Sequence, residues 1–215
     1  MMQNWATNIT EAKLVQEQLK NRVITEDQLS TVNYIAGVDV GFKENYQITQ
    51  AAVAVLTFPQ LELVEQAIAQ LPTTFPYIPG YLSFREIPAI LEALKKLSIN
   101  PDLILCDGQG LAHPRRFGLA CHLGVLLDSP TIGVAKSLFV GKHAELDPLK
   151  GSWQPLIDRG ETIGLVLRSR TNVKPLYLSV GHKISLFTAK DYVMSCLTKY
   201  RLPETTRWAD KLASL

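Results

Sequence analysis

Leu103-Ile104-Leu105-Cys106-Asp107-Gly108-Gln109-Gly110-Leu111-Ala112-His113-Pro114-Arg115-Arg116-Phe117-Gly118 takes the chain from an apolar run through a glycine-punctuated turn into a basic segment. The apolar run predicts a buried strand over 102–106, and the stretch 115–127 predicts a helix. Strand, turn and helix in that order are the repeating unit of an α/β domain. Two glycines let the backbone approach a ligand closely. A carboxylate at a strand end, with a His and two Arg within nine residues, suits a metal ion and a phosphate. A plainer reading, with Gly for the bend and Asp as a turn cap, accounts for the same residues without a ligand.

Outward from this unit, Asn8 followed by Glu11 predicts the start of an amphipathic helix over 8–22. Three strand-like runs come next, Asn33 to Val40, Gln50 to Phe58 and Leu61 to Ala69, the last two flanking Pro59-Gln60 as in a hairpin. A Pro-rich loop, Pro72 to Gly80, leads to a helix over about 83–97. Beyond the central unit lie an apolar run, Thr131 to Ala135, two strand-like segments at 162–168 and 175–181, and a helix near 189–200. Three strands followed by alternating helix and strand imply one α/β domain over residues 1–215. Its mixed sheet is expected to be antiparallel on one side and parallel on the other.

Composition sets bounds. The 215 residues are enough for one sizeable core, and 47% hydrophobic with 20% charged residues is ordinary for a globular chain. No apolar run approaches the ~20 residues that span a bilayer. Met1-Met2-Gln3-Asn4-Trp5 has neither the basic nor the apolar region of an export signal. Cys106, Cys121 and Cys196 show no CxxC spacing, so reduced thiols in a cytoplasmic, membrane-free protein are expected. The net charge is only +2, but residues 1–100 hold 7 Lys/Arg against 10 Asp/Glu, and residues 101–215 hold 15 against 10 and all four histidines. A polyanion would meet the second half first, although charges also scatter unevenly by chance.

Asp39 interrupts the apolar run Tyr34-Ile35-Ala36-Gly37-Val38-Asp39-Val40-Gly41. A carboxylate there is costly unless paired or metal-bound, so Asp39 reads as a metal ligand that converges with Asp107 from an adjacent strand end. The alternative is a strand-end turn cap beside Gly41. Ser83-x-x-Glu86 fits a capping box, which on spacing alone is the stronger reading of Glu86. Lys136 closes Thr131 to Ala135, where a Lys is usually just solvated. Beside two aspartates it could instead offset phosphate charge. Tyr77, fixed between Pro76 and Pro79 in Pro76-Tyr77-Ile78-Pro79-Gly80, has the stiffness that a wedge into a base stack needs, but a packed loop tyrosine would look the same.

Together, Pro76-Tyr77-Ile78-Pro79-Gly80 with Phe84-Arg85-Glu86, Asp107-Gly108-Gln109-Gly110 with Ala112-His113-Pro114-Arg115-Arg116, Gly133-Val134-Ala135-Lys136, and Arg201-Leu202-Pro203-Glu204 resemble the endonuclease V family from about residue 8 onward. The resemblance implies a ribonuclease H-like fold. It also implies a metal-dependent DNA-repair endonuclease that nicks the second phosphodiester bond 3′ to deoxyinosine, leaving 3′-hydroxyl and 5′-phosphate ends. By the same resemblance, Asp39, Glu86 and Asp107 form the acidic centre, with Lys136 and His113 as further catalytic residues and Asp210 as the least secure metal ligand. Mg²⁺, with Mn²⁺ able to substitute, is the implied cofactor. Tyr77 is the implied wedge, with Pro76, Ile78, Pro79, Arg85 and Arg115 as further substrate contacts. Backbone groups of Gly80, Leu82, Gly108 and Gly110 are candidates for reading a flipped base. A monomer acting on inosine-containing DNA, double- or single-stranded, is expected. Thr205, where the family usually has a second Pro, should cost only some loop stiffness.

Two other classes stay open at this stage. Gly37-Val38-Asp39-Val40-Gly41 also resembles the first phosphate loop of actin-like kinases, for which 215 residues are short. A nucleic-acid binder without catalysis is the third, and clustered carboxylates facing phosphates argue against it.

Overall fold

The computed structural model describes residues 5–215; residues 1–4, which entered the export reading, lie outside the described residues. Helix α1 (Ile9–Leu19) starts where the sequence predicts. Asn8 Oδ1 accepts the Glu11 N–H at 3.0 Å, but the Glu11 carboxylate turns back to the Thr7 N–H at 2.8 Å, so the reciprocal bond closes one residue upstream. A short 3₁₀ turn, Lys20–Arg22, follows.

Strands β1 (Tyr34–Lys43), β2 (Ile48–Thr57) and β3 (Leu63–Pro72) form the expected antiparallel meander. Then come α2 (Leu82–Leu94), β4 (Leu103–Cys106), α3 (Leu119–Leu127), β5 (Thr131–Ala135), β6 (Trp153–Asp158), β7 (Glu161–Leu167), β8 (Leu176–His182), α4 (Leu186–Ser195) and α5 (Glu204–Ala213). They build one eight-stranded sheet in the order β3-β2-β1-β4-β5-β8-β7-β6. Only β1, β4 and β5 are mutually parallel, and β8, β7 and β6 return antiparallel. This is the ribonuclease H-like, mixed α/β fold, but the side of the sheet expected to be parallel is parallel only through β5: β8 runs antiparallel to β5 and β7, and β7 and β6 form an antiparallel hairpin.

Side-chain alternation along β1 divides the core. Ile35 packs with Leu103, Leu105, Ile132 and Leu212 on the face covered by α5. Ala36 and Val38 pack with Ile87, Ile90, Ile104 and Leu123 on the face covered by α2 and α3.

Three local expectations are corrected. The helix expected over 115–127 begins at Leu119, because Arg116 adopts φ 56°, a left-handed conformation that no helix continues through. The basic residues therefore sit in the loop before the helix. Strand β6 went unread because Pro155 lies within it; β6 is the edge strand beside β7, bridged on its other side at Ile157 by Lys142, and a missing N–H costs least at such an edge. Residues 204–207 are no loop: after Leu202 and the cap at Pro203, Glu204 opens α5, and Thr205 is fully buried in its first turn. Among the described residues no helix is long and apolar enough to cross a membrane.

Candidate active site

The site is built where β1 outruns β4. Their parallel register ends at Val38↔Cys106, and the Asp107 N–H then donates to the Val38 carbonyl at 3.1 Å. Asp39 and Asp107 are the next residues on the two strands. Asp39 lies inside β1, not at a strand end, so the turn-cap reading fails. Its flanking glycines have a packing purpose: a Cβ on Gly37 would lie 2.1 Å from the Thr205 carbonyl oxygen, and one on Gly41 would lie 2.4 Å from that of Ala213. Gly-x-Asp-x-Gly thus seats α5 flush on β1, and α5 delivers Asp210. Ligand atoms of Asp39, Asp107 and Asp210 lie within 4.8 Å of one another. Carboxylate oxygens gathered this closely are the donor set that Mg²⁺ or Mn²⁺ takes.

Lys136, immediately after β5, is an ion-pair partner of this trio and not a solvated end. Its Nζ stands 2.5 Å from Asp107 Oδ2 and 2.8 Å from Asp210 Oδ1. Burial opposes its charge, but Asp107 and Asp210 hold it firmly protonated. Even so, the carboxylates remain short of positive charge. Burial and then the neighbouring Asp107 push Asp39 up to about 7. Burial also raises Asp107, outweighing Lys136. Glu86 projects from α2 into the same cleft, outside the close trio, and burial followed by Asp39 and Asp107 pushes it up to about 8. The capping-box reading of Glu86 fails: α2 is capped at Tyr81, and Ser83 Oγ instead bonds His122 Nδ1 at 3.0 Å.

A cleft of about 450 Å³ adjoins the carboxylates. Of the sequence candidates it is lined by Asp39, Tyr77, Pro79, Gly80, Leu82, Glu86, Asp107, Gly108, His113 and Lys136. Tyr77 stands 67% exposed at its rim. Leu138 and Phe139, missed from sequence, form further parts of the wall, and Phe139 packs on the His113 ring with centroids 5.6 Å apart. Gln109 Nε2 donates to the Ser137 carbonyl at 3.1 Å, tying the Asp107 loop to the Lys136 loop. Arg201 donates to the Lys136 and Pro175 carbonyls, both at 2.7 Å, and to that of Lys174 at 2.9 Å, fixing the Lys136 backbone from the other side.

Beneath the Tyr77 loop is a brace. Gly80, with φ 85°, closes the loop. Its carbonyl accepts from Gln16 Nε2 at 2.9 Å, His113 Nε2 at 3.1 Å and Arg115 Nη2 at 2.6 Å. Arg115 Nε donates to Gln16 Oε1 at 2.6 Å, and its guanidinium lies 4.1 Å over the Tyr81 ring. The Arg115 N–H donates to His113 Nδ1 at 3.2 Å, so Nε2 carries the histidine proton. Burial, then Arg115, pushes His113 down to about 4, and the ring is neutral at neutral pH. With both nitrogens held by backbone, His113 braces the loop and is not free to move a proton. Gln16 interrupts the buried side of α1 at four residues from Ala12. A polar residue on an apolar stripe was the available signal for it.

Other sequence candidates lie elsewhere. Arg85 is buried beneath the loop, 4.2 Å over the Phe42 ring and 3.4 Å from the Phe75 carbonyl. Gly110 abuts Val180, its N–H donates to Ser179 Oγ at 2.8 Å, and its carbonyl accepts from Gly118 at 3.0 Å. Neither backbone group is left for a base. Arg115 points into the brace, not the cleft. Pro76 is exposed, and Ile78 packs against the cluster of Phe75, Tyr81 and Phe84 under the loop.

Known proteins share this sequence and fold. A family model for Endonuclease V matches residues 17–211. Endonuclease V of Rippkaea orientalis is 76% identical over 207 residues, covering 96% of this chain and 90% of that protein. The crystal structure of endonuclease V from Streptomyces avermitilis superposes with TM-score 0.93 at 43% identity, covering 98% of this chain and 93% of that one. Ciona intestinalis endonuclease V, solved with a 24mer DNA containing an inosine followed by a ribo-adenosine, gives TM-score 0.84 at 32% identity over 96% of each chain. With the family model spanning most of the sequence and relatives this close over nearly its full length, the chain belongs to the endonuclease V family of DNA-cleaving hydrolases.

Proposed function

We propose that this chain is a metal-dependent DNA-repair endonuclease that recognises deoxyinosine and hydrolyses the second phosphodiester bond on its 3′ side, leaving 3′-hydroxyl and 5′-phosphate ends. The observation that carries the reading is the meeting of Asp39, Asp107 and Asp210 around Lys136 beside a cleft rimmed by Tyr77. The Ciona complex with inosine-containing DNA supports the choice of lesion.

In this reading Asp39, Asp107 and Asp210 hold Mg²⁺ or Mn²⁺, and Glu86 shapes the site from α2. A divalent cation there supplies acidification of the attacking water and screening of the leaving oxygen. Lys136 offsets charge that develops on the phosphate. Tyr77 fills the gap left when the damaged base is turned out of the helix. Leu82 and Gly108 line the cleft that receives the base, whose O6 and N1–H distinguish hypoxanthine from adenine. His113, Arg115 and Gln16 keep the Gly80 end of the loop in place. The protein acts as a cytoplasmic monomer with residues 1–215 as one domain.

The test is incubation of a labelled inosine duplex and its adenine control with Mg²⁺, Mn²⁺ or EDTA, mapping the product to one nucleotide. A nick one bond beyond the nucleotide 3′ to inosine, dependent on the cation and absent from the control, is expected. Cleavage in EDTA, or equal cleavage of the two duplexes, overturns the reading.

A further inference from the structure

Helix α5 carries more than Asp210. At 100° per residue, buried Thr205, Ala209, Leu212 and Ala213 occupy one side of it, and Asp210, Arg207, Lys211 and Trp208 succeed one another around the other. The arc therefore starts at the carboxylate trio and runs away from it. Arg207 lies 4.5 Å over the Tyr200 ring and 5.5 Å over Trp208; Lys211 lies 5.1 Å over Trp208, and Lys199 lies 5.3 Å over Tyr200. Cations and aromatic rings alternate without a break, and each cation is held over a ring face. Glu204 pairs with Arg207, but among the described residues neither Lys199 nor Lys211 has a carboxylate partner.

The position of the arc gives it a direction. The cleft and the Tyr77 loop belong to the side of the sheet covered by α2 and α3, whereas α5 covers the other side. The carboxylates lie between. A strand whose base enters the cleft and whose phosphate meets the carboxylates meets the surface of α5 if it continues in the same direction. Alternating cations and aromatic rings suit such a strand: phosphates draw the cations, and a base stacks on the exposed Tyr200 ring as a cation turns from it to a phosphate, while Trp208, packed against the core, keeps Arg207 and Lys211 on the track.

We infer that Lys199, Tyr200, Arg207, Trp208 and Lys211 form a track for the nucleic-acid strand on the 3′ side of the scissile bond. The polarity rests on the function proposed above.

The experiment measures binding of the full chain without added metal to inosine duplexes whose arm is lengthened either 3′ or 5′ of the nick, over a series of salt concentrations. The wild type should gain affinity from the 3′ extension and not from the 5′ one. Lys199→Gln with Lys211→Gln should erase that gain, on the order of tenfold, and lower the salt slope by about 0.9 for each lysine that meets a phosphate. Tyr200→Ala should weaken binding most when the 3′ arm is single-stranded. A wild type that does not prefer inosine over adenine undoes the proposed function itself. A wild type that prefers inosine but gains equally from both arms, only from the 5′ arm or from neither overturns this inference alone, as do lysine variants that bind like the wild type.

Discussion

On either side of the first turn of α2 polar groups are used in opposite ways, although the rest of the helix buries Ile87, Ala89 and Ile90 in ordinary core. On one side Asp39, Asp107 and Asp210 crowd around a single lysine with Glu86 facing the same cleft, and burial and mutual repulsion push Asp39 and Glu86 toward their neutral forms. On the other side one acceptor, the Gly80 carbonyl, is met by three donors from two distant segments, Gln16 on α1 and the loop that carries His113 and Arg115. The first arrangement lacks positive charge and so favours a cation; the second is satisfied internally and so resists change. A nuclease needs both: a centre that gains by binding a metal and a phosphate, and a rigid support that presents Tyr77 without adapting to it.

Removing the carboxylates should break this contrast most severely. Asp39→Asn and Asp107→Asn each remove an oxygen ligand while keeping shape, and each should lower nicking on the order of a thousandfold, the size expected when several kcal/mol of transition-state stabilisation is lost. DNA binding without metal should persist or tighten, since repulsion of phosphate falls. Single-turnover cleavage with filter binding checks both halves. Near wild-type cleavage at saturating Mg²⁺ would mean that the trio is not the metal centre.

Glu86→Gln sharpens the comparison from the α2 side. Turnover should fall on the order of a hundredfold, the scale of a lost electrostatic contributor, while melting without metal stays level at neutral pH and rises above about pH 8, where the wild-type carboxylate is charged and buried. The pH dependence follows from the raised pKa. The protein takes up a proton on Glu86 more readily when folded, so this contribution to metal-free stability is complete below pH 4.5 and is lost as pH rises through about 8. Stabilisation by added Mg²⁺ should accordingly grow between pH 5 and 8 in the wild type and grow less in the variant. Calorimetric melts at both ends of that range decide it.

The brace predicts a smaller, substrate-dependent effect. Gln16→Leu removes one donor from Gly80 and leaves Arg115 Nε without its acceptor, at about 1–3 kcal/mol of stability. Cleavage of an inosine duplex should fall several-fold more than cleavage of single-stranded inosine DNA, because only the duplex needs its stack held open. Tyr77→Ala should show the same asymmetry more strongly, from the loss of about 1–3 kcal/mol of stacking. If Gln16 acts by positioning Tyr77, the double variant should be no worse on duplex than Tyr77→Ala alone. Additive losses would separate the two residues.

What the sequence revealed follows the same division. Asp39, Asp107 and Lys136 are legible because each breaks an apolar run at a strand end or in its middle, where burying charge demands a reason. The α/β class is legible because its periodicities are local. The brace is assembled by residues up to 99 positions apart, Gln16 with Arg115, and no local pattern encodes such a meeting. Arg85 and Arg115 entered as substrate contacts through the family resemblance; their guanidinium groups are engaged by an aromatic ring and a carbonyl. Helix α5 was hidden by its two threonines and its single narrow apolar stripe. The glycines at 37 and 41, which seat it, read equally well as a phosphate loop until the helix is seen lying on them.

His122 tests the internally satisfied side with the smallest expected effect. It sits fully buried on α3, its ring near those of Trp5, Phe84 and Phe117, with Nδ1 bonded to Ser83 Oγ and Nε2 buried without a partner among the described residues. Burial pushes it down to about 3, so the folded protein keeps it neutral where the unfolded chain, titrating near 6.5, takes up a proton. The sign is opposite to that of Glu86: the contribution is complete above pH 6.5 and is lost as pH falls toward about 3. At pH 5 the loss is about 2 kcal/mol, from 1.5 pH units at about 1.4 kcal/mol each. His122→Phe keeps a ring among the aromatics, removes the unpartnered nitrogen and abolishes the titration. Its melting temperature should drop less than that of the wild type between pH 7 and pH 5, with nicking at pH 7 unchanged, since His122 does not line the cleft. An equal drop in the two proteins would show that acid lability arises elsewhere, with neutral His113 in the Gly80 brace the next group to replace.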